Sequence, residues 1–366
     1  MLQQTAPNGP IAGPIRKLAL LLQKWGGMAK YRQHPRLADL SYRAARLMGP
    51  DLTLTRREIA KARPRARDGV PHLNSVGIGT TGTCNASCVH CPTGKASTSN
   101  SPRGTMPMSL FHKIIDGIVE EGVRVDSHIG FGLFGDGLVD PMVVERARYV
   151  HERLPDVVFS VNTNGAAYNS AKHKVLFPYV TLIALHCESL TPETYDYLMT
   201  PLRAKNVFPK YEQILRDFPG KVRVSVPVSR ANRGELAMIR EWFMSRGAKE
   251  VVFDPMASRC MEDRSLFDKL SLAPVRIRCD GEVARDLIVD CDGAVLTCCQ
   301  DFVREHPVGN MMIETFSETM TNLARRAFAQ KMVDGKHDEI STCSRCYGDV
   351  RTPDFPFDHP VLTEAH

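Results

Sequence analysis

The segment Thr83-Cys84-Asn85-Ala86-Ser87-Cys88-Val89-His90-Cys91-Pro92 carries three cysteines with the spacing C-x3-C-x2-C. It follows residues 76–80, whose apolar character predicts a first β-strand. Thiolates are the ligands that iron–sulfur clusters use, and three of them can bind three corners of a four-iron cubane. The fourth iron then has no protein ligand, so a small molecule can bind there. Cys84, Cys88 and Cys91 are therefore predicted to hold such a cluster in the loop after this strand.

A structural zinc ion is the alternative for these cysteines. Zinc in such sites has four ligands in tetrahedral geometry, so a fourth ligand would have to lie nearby. His90 could be offered for that role, but it lies between Cys88 and Cys91, where its ring cannot easily reach the same metal. We therefore favour the iron–sulfur cluster.

Strands and helices are predicted to alternate after this point. Apolar runs predict strands at residues 76–80, 128–133, 157–161, 180–185, 222–228 and 251–254. Helices are predicted between them, the first with Ser109 as its N-cap and others over 141–154 and 235–246. The alternation implies parallel strands with right-handed crossovers. Six units are too few for the closed eight-stranded barrel, so we expect an α/β fold, a partial (β/α)6 TIM-like barrel with its chemistry at the C-terminal strand ends.

The regions on either side of the predicted barrel have different patterns. Residues 1–71 are predicted to be a basic, helical N-terminal extension, because apolar residues recur at helical spacing in 14–25 and 35–48 and a capping-box spacing occurs at 55–58. We place the barrel at 72–262 and a small C-terminal domain at 263–350, with a hairpin at 287–297 and a helix over about 314–333. Residues 351–366 are expected to form a tail.

The composition of the chain limits where the protein can be located and what it can bind. No apolar run approaches the roughly 20 residues of a membrane-spanning helix, and residues 1–13 are too polar for a cleavable signal. We therefore expect a cytoplasmic protein without a membrane span. The chain contains 11 cysteines, and clustered cysteines in a reducing compartment predict metal binding or catalysis rather than disulfides. The net charge of +6 arises mainly before residue 70 and is typical of a solvated surface, so no nucleic-acid partner is expected.

The cysteine motif and its place after the first strand resemble the radical S-adenosylmethionine (SAM) superfamily, over about residues 72–350. This resemblance implies that the open iron binds the amino and carboxylate groups of SAM. Reductive cleavage would then give methionine and a 5′-deoxyadenosyl radical, which abstracts hydrogen from a substrate. The resemblance also implies an electron donor such as flavodoxin or ferredoxin.

Three further strand ends resemble cofactor-binding segments of that superfamily. Residues 135–137, Gly-Asp-Gly, resemble the Gly-Gly-Glu-Pro segment that contacts the methionine amino group, although Asp136 stands where Glu is usual and a tight turn alone would also explain the glycines. Residues 162–165, Asn-Thr-Asn-Gly, resemble a Thr-Asn-Gly turn. A polar contact to the cofactor is often placed on the fifth strand, although a buried hydroxyl bonded to backbone is an equal alternative there. The cofactor-binding candidates are Gly135, Asp136, Asn164 and Ser225.

The fourth predicted strand ends in His186-Cys187-Glu188, directly before Ser-Leu-Thr-Pro-Glu-Thr-Tyr. Relatives often have Ser-Leu-Asp-Ser before the same Thr-Pro-Glu-Thr-Tyr, so His186 and Glu188 occupy the Ser and Asp positions. Alternation along a strand points these two into the barrel mouth, where either could serve as a base. Epimerisation would instead need a thiol hydrogen donor. Cys187 is the first candidate, although alternation turns it away from the barrel axis, and Cys260 is the reserve.

A second set of cysteines lies in the predicted C-terminal domain. The spacing C-x13-G-x4-C, with Gly293 as its glycine, resembles the opening of the SPASM auxiliary-cluster extension. The longer cysteine series that builds a second auxiliary cluster is missing, so the resemblance implies one auxiliary 4Fe–4S cluster. Structural zinc is again the alternative. The predicted ligands are Cys279, Cys298, Cys343 and Cys346.

Relatives with this layout act either on ribosomally made peptides or on small polar molecules such as sugars and aminocyclitols. Peptide-modifying members often carry an N-terminal winged-helix domain, and no strand pattern for one precedes residue 70. We therefore expect a small-molecule substrate, with epimerisation slightly favoured over alcohol oxidation. A peptide maturase is one alternative. A non-catalytic iron–sulfur scaffold is the other, supported by the imperfect Gly-Asp-Gly segment.

Overall fold

The computed structural model describes residues 71–279 and 281–349. Its central feature is a run of six parallel strands, β1 to β6, that pair in chain order. Their bounds are His72–Ile78, Arg124–Phe131, Phe159–Thr163, Leu182–His186, Val222–Val228 and Glu250–Pro255. The predicted six-unit α/β architecture is confirmed. The helices predicted before residue 71, and the predicted tail, lie outside the described residues.

Helices connect these strands and cover one face of the sheet. In chain order they are α1 (Met108–Glu120), α2 (Val143–Arg153), α3 (Ser170–His173), α4 (Pro192–Leu198), α5 (Ala204–Asp217), α6 (Leu236–Ser245) and α7 (Ser265–Leu270). The prediction that Ser109 caps α1 is wrong, because Pro107 is the N-cap and Ser109 lies in the first turn. Proline has no backbone N–H, and its ring disfavours helical geometry in the residue before it. α1 therefore starts directly after Pro107.

Burial alternates along the inner strands. In β5, Val222, Val224, Val226 and Val228 are buried, whereas the residues between them are partly exposed. The valines pack under the helices, and burying each such side chain contributes roughly 1.5–3 kcal/mol. The other face carries Ser225, which is paired in register with His186 of β4. Alternation therefore places these two polar residues on the same side of the sheet.

The C-terminal region extends the same sheet instead of forming a separate one. Strand β8 (Leu287–Val289) pairs in parallel with β1, and β9 (Ala294–Leu296) turns back antiparallel to β8, followed by β10 (Gly309–Asn310). The resulting order is β10-β9-β8-β1-β2-β3-β4-β5-β6. The predicted hairpin is confirmed. Its turn uses Gly293 at φ +84°, where a Cβ would lie 2.9 Å from the backbone nitrogen of Met312.

The helix predicted over 314–333 is two helices, α8 (Phe316–Thr321) and α9 (Leu323–Val333), followed by α10 (Ser341–Ser344). The break occurs at Asn322, which has extended backbone angles and accepts a hydrogen bond from the backbone of Arg325. Asparagine is a strong N-cap, and this local bond competes with a continuous helix. α8 packs so closely on α1 that a Cβ at Gly117 would lie 2.4 Å from Phe316.

A second, small sheet joins β7 (Pro274–Arg276) to β11 (Tyr347–Asp349) in antiparallel pairing. It brings the start and the end of the C-terminal region together. Within the described part of the chain, no helix is both long and apolar enough to cross a membrane.

Candidate functional site

The C-x3-C-x2-C loop follows β1 and is held from both sides. Backbone bonds join Ser87 to Thr200 (N to O, 2.7 Å) and Val89 to Leu198 (2.9 Å), which lie at the end of α4. From inside the loop, the ammonium of Lys95 donates to the carbonyl of Val89 (2.9 Å) and to those of the second and third cysteines. The loop thus wraps around a partly buried positive charge.

Three thiols of this loop are reduced and partly buried: Cys84, Cys88 and Cys91. Burial raises the pKa of Cys84 to about 12 and also raises that of Cys88, and the negative charges of neighbouring cysteines act in the same direction. The three sulfurs are therefore mutual neighbours. A donor set of converging thiols suits an iron–sulfur cluster, which would displace the thiol protons on binding. Their role as ligands stays a prediction.

The Gly-Asp-Gly loop after β2 is packed against the cysteine loop. A Cβ at Gly135 would lie 2.4 Å from the carbonyl oxygen of Thr83, and one at Gly137 would lie 2.7 Å from Val161. The backbone nitrogen of Asp136 also donates to the Thr83 carbonyl at 3.0 Å. Close approach to neighbouring residues, and not the turn alone, therefore requires both glycines.

The carboxylate of Asp136 is buried and joins β2 to β3. It accepts hydrogen bonds from the backbone nitrogens of Leu138 (2.9 Å) and Asn164 (2.7 Å) and from the Thr163 hydroxyl (3.0 Å). Both carboxylate oxygens are used inside the protein, so the structure gives this residue a positioning role. Contact between Asp136 and a cofactor ammonium stays a prediction.

Asn164 and Ser225 have defined partners. The Asn164 amide donates to Asn85 Oδ1 at 2.8 Å and lies 3.9 Å from the sulfur of Cys84. The Ser225 hydroxyl donates to Asp254 Oδ2 at 2.5 Å, so its partner is a side chain of β6 and not the backbone. Asn164 thus lies beside the cysteine loop. Cofactor binding by either residue is a matter for experiment.

Glu188 and His90 form a buried pair next to the cysteine loop. The His90 Nε2 and Glu188 Oε1 atoms are 3.5 Å apart, and Glu188 is only 3% exposed. Burial raises the pKa of Glu188 to about 8, against the opposing charge of Arg259. Burial and the charge of Arg259 lower the pKa of His90 to about 3, and burial lowers that of His186 to about 4. Near neutral pH both histidines are therefore uncharged and Glu188 is mostly protonated.

The two candidate hydrogen-donor thiols lie elsewhere. Cys187 is fully buried in the hydrophobic core, and its sulfur donates to the carbonyl of Ser189 at 3.3 Å. Cys260 is also buried, and its pKa is raised first by a hydrogen bond with Cys346. The structure thus brings Glu188 and His186 close to His90, whereas Cys260 lies among the C-terminal cysteines.

The C-terminal cysteines come from separate segments. β7 and β11 bring the segment after Arg276 beside Cys346, whose carbonyl accepts from the Ile277 nitrogen at 2.9 Å. Burial raises the pKa of Cys343 to about 12, and the charges of Cys279 and Cys346 contribute. Among residues 71–279 and 281–349, no group of three or more His, Cys, Asp or Glu side chains has the spacing of a single-ion site.

Residues 277–347 match the family model of SPASM, described as an iron–sulfur cluster-binding domain. This part of the chain is therefore similar to SPASM domains, and we call it the SPASM domain. All four predicted auxiliary ligands lie within it, which supports an iron–sulfur cluster as their cofactor.

Solved structures share the fold of the chain. BtrN in complex with AdoMet and 2-DOIA has a TM-score of 0.53 and 15% identity, over 75% of this chain and 92% of that one. Native anSMEcpe with bound AdoMet has a TM-score of 0.54 and 16% identity, over 72% and 84%. Streptococcus suis SuiB bound to precursor peptide SuiA has a TM-score of 0.52 and 11% identity, over 79% and 72%.

The chain shares the fold of these three structures. The predicted α/β fold with a SPASM-like C-terminal region is thereby confirmed. No curated protein sequence matches the chain.

One residue that sequence reasoning missed connects the barrel to the SPASM domain. Arg259 follows β6, and its Nη1 donates to Gln300 Oε1 at 3.3 Å while its guanidinium lies 5.2 Å from the ring centre of Phe302. Its charge opposes the rise in the pKa of Glu188 and contributes to the lowered pKa of His90. His186 was selected because it lies at the C-terminal end of a barrel strand. The same rule could have selected Arg259, which follows β6.

Proposed function

We propose that this protein is a radical SAM dehydrogenase that oxidises an alcohol group of a small polar substrate. The observation that carries the proposal is the pairing of Glu188 with His90 beside the cysteine loop, whereas the thiol of Cys187 bonds within its own turn and that of Cys260 bonds to Cys346. A raised pKa makes the ionised form of a buried carboxyl group a stronger base. Oxidation needs such a base, whereas epimerisation needs a hydrogen donor.

The cofactors follow from the two cysteine sets. In the proposal, Cys84, Cys88 and Cys91 hold one 4Fe–4S cluster, and the four SPASM cysteines hold the other. When bound, these clusters and SAM supply a 5′-deoxyadenosyl radical that removes the carbinol hydrogen and an acceptor for one electron. Asn164 would lie beside the bound SAM, because its amide is next to Cys84.

Glu188, His90 and His186 supply the remaining chemistry. Glu188 takes the hydroxyl proton of the substrate on its carboxylate, and His90 orients that carboxylate from 3.5 Å. Loss of one hydrogen atom, one proton and one electron from the carbinol gives a ketone, so the step is balanced. His186 is the second base candidate, because it is uncharged near neutral pH.

The geometry around Cys187 argues against the sequence-based preference for epimerisation. Its thiol is fully buried, packs in the core and donates to the backbone within its own turn. A hydrogen donor must reach the substrate carbon, whereas this thiol is buried and bonded to its own turn. A peptide is the second candidate substrate, because SuiB, which has a similar fold, was solved with a bound precursor peptide.

The test uses anaerobically reconstituted protein with a reductant, SAM and separate panels of sugars, aminocyclitols and short peptides. We expect a product two mass units lighter than its substrate from the sugar or aminocyclitol panel. Glu188→Gln should lose this product but retain 5′-deoxyadenosine formation, whereas Cys187→Ala should retain both. His186→Gln is the matched variant for the alternative base.

Three outcomes would reject the proposal. A product of unchanged connectivity that gains one deuterium from deuterated water, and is lost in Cys187→Ala, would identify an epimerase. Turnover confined to the peptides would identify a maturase. No 5′-deoxyadenosine under any condition, with both clusters loaded, would identify a non-catalytic scaffold.

A further inference from the structure

We infer that Arg259 binds an anionic group of the substrate, a carboxylate or a phosphate, where the barrel mouth meets the SPASM domain. The inference deepens the proposed function and rests on it, because it places the substrate beside Glu188. It makes the substrate a small polar molecule that carries negative charge, such as a sugar acid or a sugar phosphate.

The backbone of this arginine has an unusual conformation. Arg259 and Cys260 have φ values of +55° and +56°, the left-handed region that residues with a Cβ rarely adopt. Such conformations persist only where surrounding contacts hold them, and they concentrate at ligand sites. Here the preceding residue, Ser258, is bonded through its backbone nitrogen to the Tyr347 carbonyl at 2.8 Å. The turn therefore directs Arg259 from the end of β6 toward the SPASM domain.

The guanidinium is held by neutral groups. Gln300 accepts one hydrogen bond at 3.3 Å, and the Phe302 ring lies beneath it. Phe302 is itself fixed edge-on against Phe134 at 5.0 Å, beside the Gly-Asp-Gly loop. The Nε atom of Arg259 is buried without a hydrogen-bond partner, and none of the ion pairs described for residues 71–279 and 281–349 includes this side chain. An arginine fixed in place with unused donors is prepared for a ligand.

The carboxylates near Arg259 have other partners. The charge of Arg259 acts on His90, His186 and Glu188, so all three lie within electrostatic range. Glu188 lies 3.5 Å from His90, and Asp254 accepts a hydrogen bond from Ser225. A partly buried cation without a close counter-ion is costly, and a guanidinium fork matches the oxygens of a carboxylate or phosphate.

A carboxylate could come from the substrate or from SAM. We commit to the substrate, because the side chain is anchored on the SPASM domain, by Gln300 and Phe302. A cofactor-binding arginine would be needed for SAM cleavage without substrate, and a substrate-binding one would not.

The experiment uses the reconstituted holoprotein with both clusters, and inorganic phosphate and acetate as probes. Anaerobic titrations at constant ionic strength follow the rise in unfolding temperature. We expect saturable binding in the unmodified protein, at least tenfold weaker binding in Arg259→Gln, and an intermediate value in Arg259→Lys. Arg264→Gln is the matched control, because Arg264 also lies over an aromatic ring, that of Tyr347, but already pairs with Asp268.

The inference is overturned if neither probe binds, or if Arg259→Gln binds as well as the unmodified protein. It is also overturned if Arg259→Gln loses 5′-deoxyadenosine formation in the absence of substrate, which would assign the arginine to SAM. Should Arg259→Gln fail to fold, Arg259→Lys and Gln300→Ala decide, since both must weaken binding severalfold. The titration needs neither SAM nor a reductant. If phosphate or acetate binds in a manner that depends on Arg259, but no oxidised product forms, the dehydrogenase proposal is rejected and the anion site is supported.

Discussion

The two cysteine sets reach their positions by different routes. Cys84, Cys88 and Cys91 lie in one loop, and the ammonium of Lys95 binds the carbonyls of that same loop. The SPASM cysteines are spread from Cys279 to residue 346, and they meet only because β7 pairs with β11 and the hairpin β8–β9 extends the main sheet. The first set depends on a local conformation, and the second depends on the tertiary fold.

The two sites are therefore sensitive to different changes. A change inside the first loop should affect its cluster and leave the distant set intact. The SPASM set should instead respond to any change that separates its segments. The surroundings differ as well, because the first set adjoins the ionisable pair of Glu188 and His90, whereas the second is close to a fifth thiol, Cys260.

Removing the first set gives the largest expected effect. The triple variant of Cys84, Cys88 and Cys91 to Ala should lose about four irons per chain, because the cluster needs all three thiolates. SAM cleavage should fall to background. Iron and sulfide analysis with chromatographic detection of 5′-deoxyadenosine measures both, and persistent cleavage would break the assignment.

Replacing the SPASM cysteines with Ala should remove a second set of about four irons, with a different result. Cleavage of SAM without substrate should remain within about twofold, since the first loop is untouched. Product formation should fall at least 100-fold. Electron paramagnetic resonance of the reduced protein should show two clusters before the change and one after it, and a single cluster in the unmodified protein would contradict this.

Lys95→Met should weaken the first cluster without removing a ligand. Hydrogen bonds from a charged group contribute about 1.5–3 kcal/mol each, so the loop should bind its cluster about 10–100-fold less tightly. Lys113→Met is the control, because Lys113 donates to the carbonyls of Met311 (2.8 Å) and Glu314 (3.3 Å) in the SPASM domain. Cluster retention during chelator challenge separates the two, and equal loss in both variants would remove the distinction between the sites.

The smallest effect concerns pH. Glu188 accepts a proton only when ionised, and burial raises its pKa to about 8, so product formation should rise about tenfold per unit below pH 8 and level off above it. The groups facing it are His90, Arg259, Asp254 and His186. Both histidines have lowered pKa values and stay neutral across this range. A profile from pH 6 to 9 measures the rise, and a flat profile would exclude Glu188 as the base.

Sequence patterns predicted what depends on neighbours along the chain. The six strands and the SPASM hairpin follow from apolar periodicity, and the first cysteine loop follows from its spacing. Strand β2 begins at Arg124 instead of 128, because its first half is polar and partly exposed. Its hydrogen bonds to β1 extend the strand where the side chains give no signal.

Contacts between distant segments could not be predicted. No role was predicted for Lys95, because its partners are backbone carbonyls, which every residue has and no sequence pattern reveals. Arg259 meets Gln300 and Phe302 only after the SPASM domain folds against the barrel. The position of Cys187, in contrast, was predictable from the sequence. Strand alternation indicated that it turns away from the barrel axis, and in the structure it is buried in the core.

The pairing of β8 with β1 has a consequence for biosynthesis. Residues 76–78 of β1 bond to residues 287–289, so during synthesis one edge of the barrel stays uncovered until the SPASM hairpin leaves the ribosome. An uncovered strand edge is a template for intermolecular pairing. A chain that ends near residue 262 should therefore aggregate even though its six barrel strands are complete.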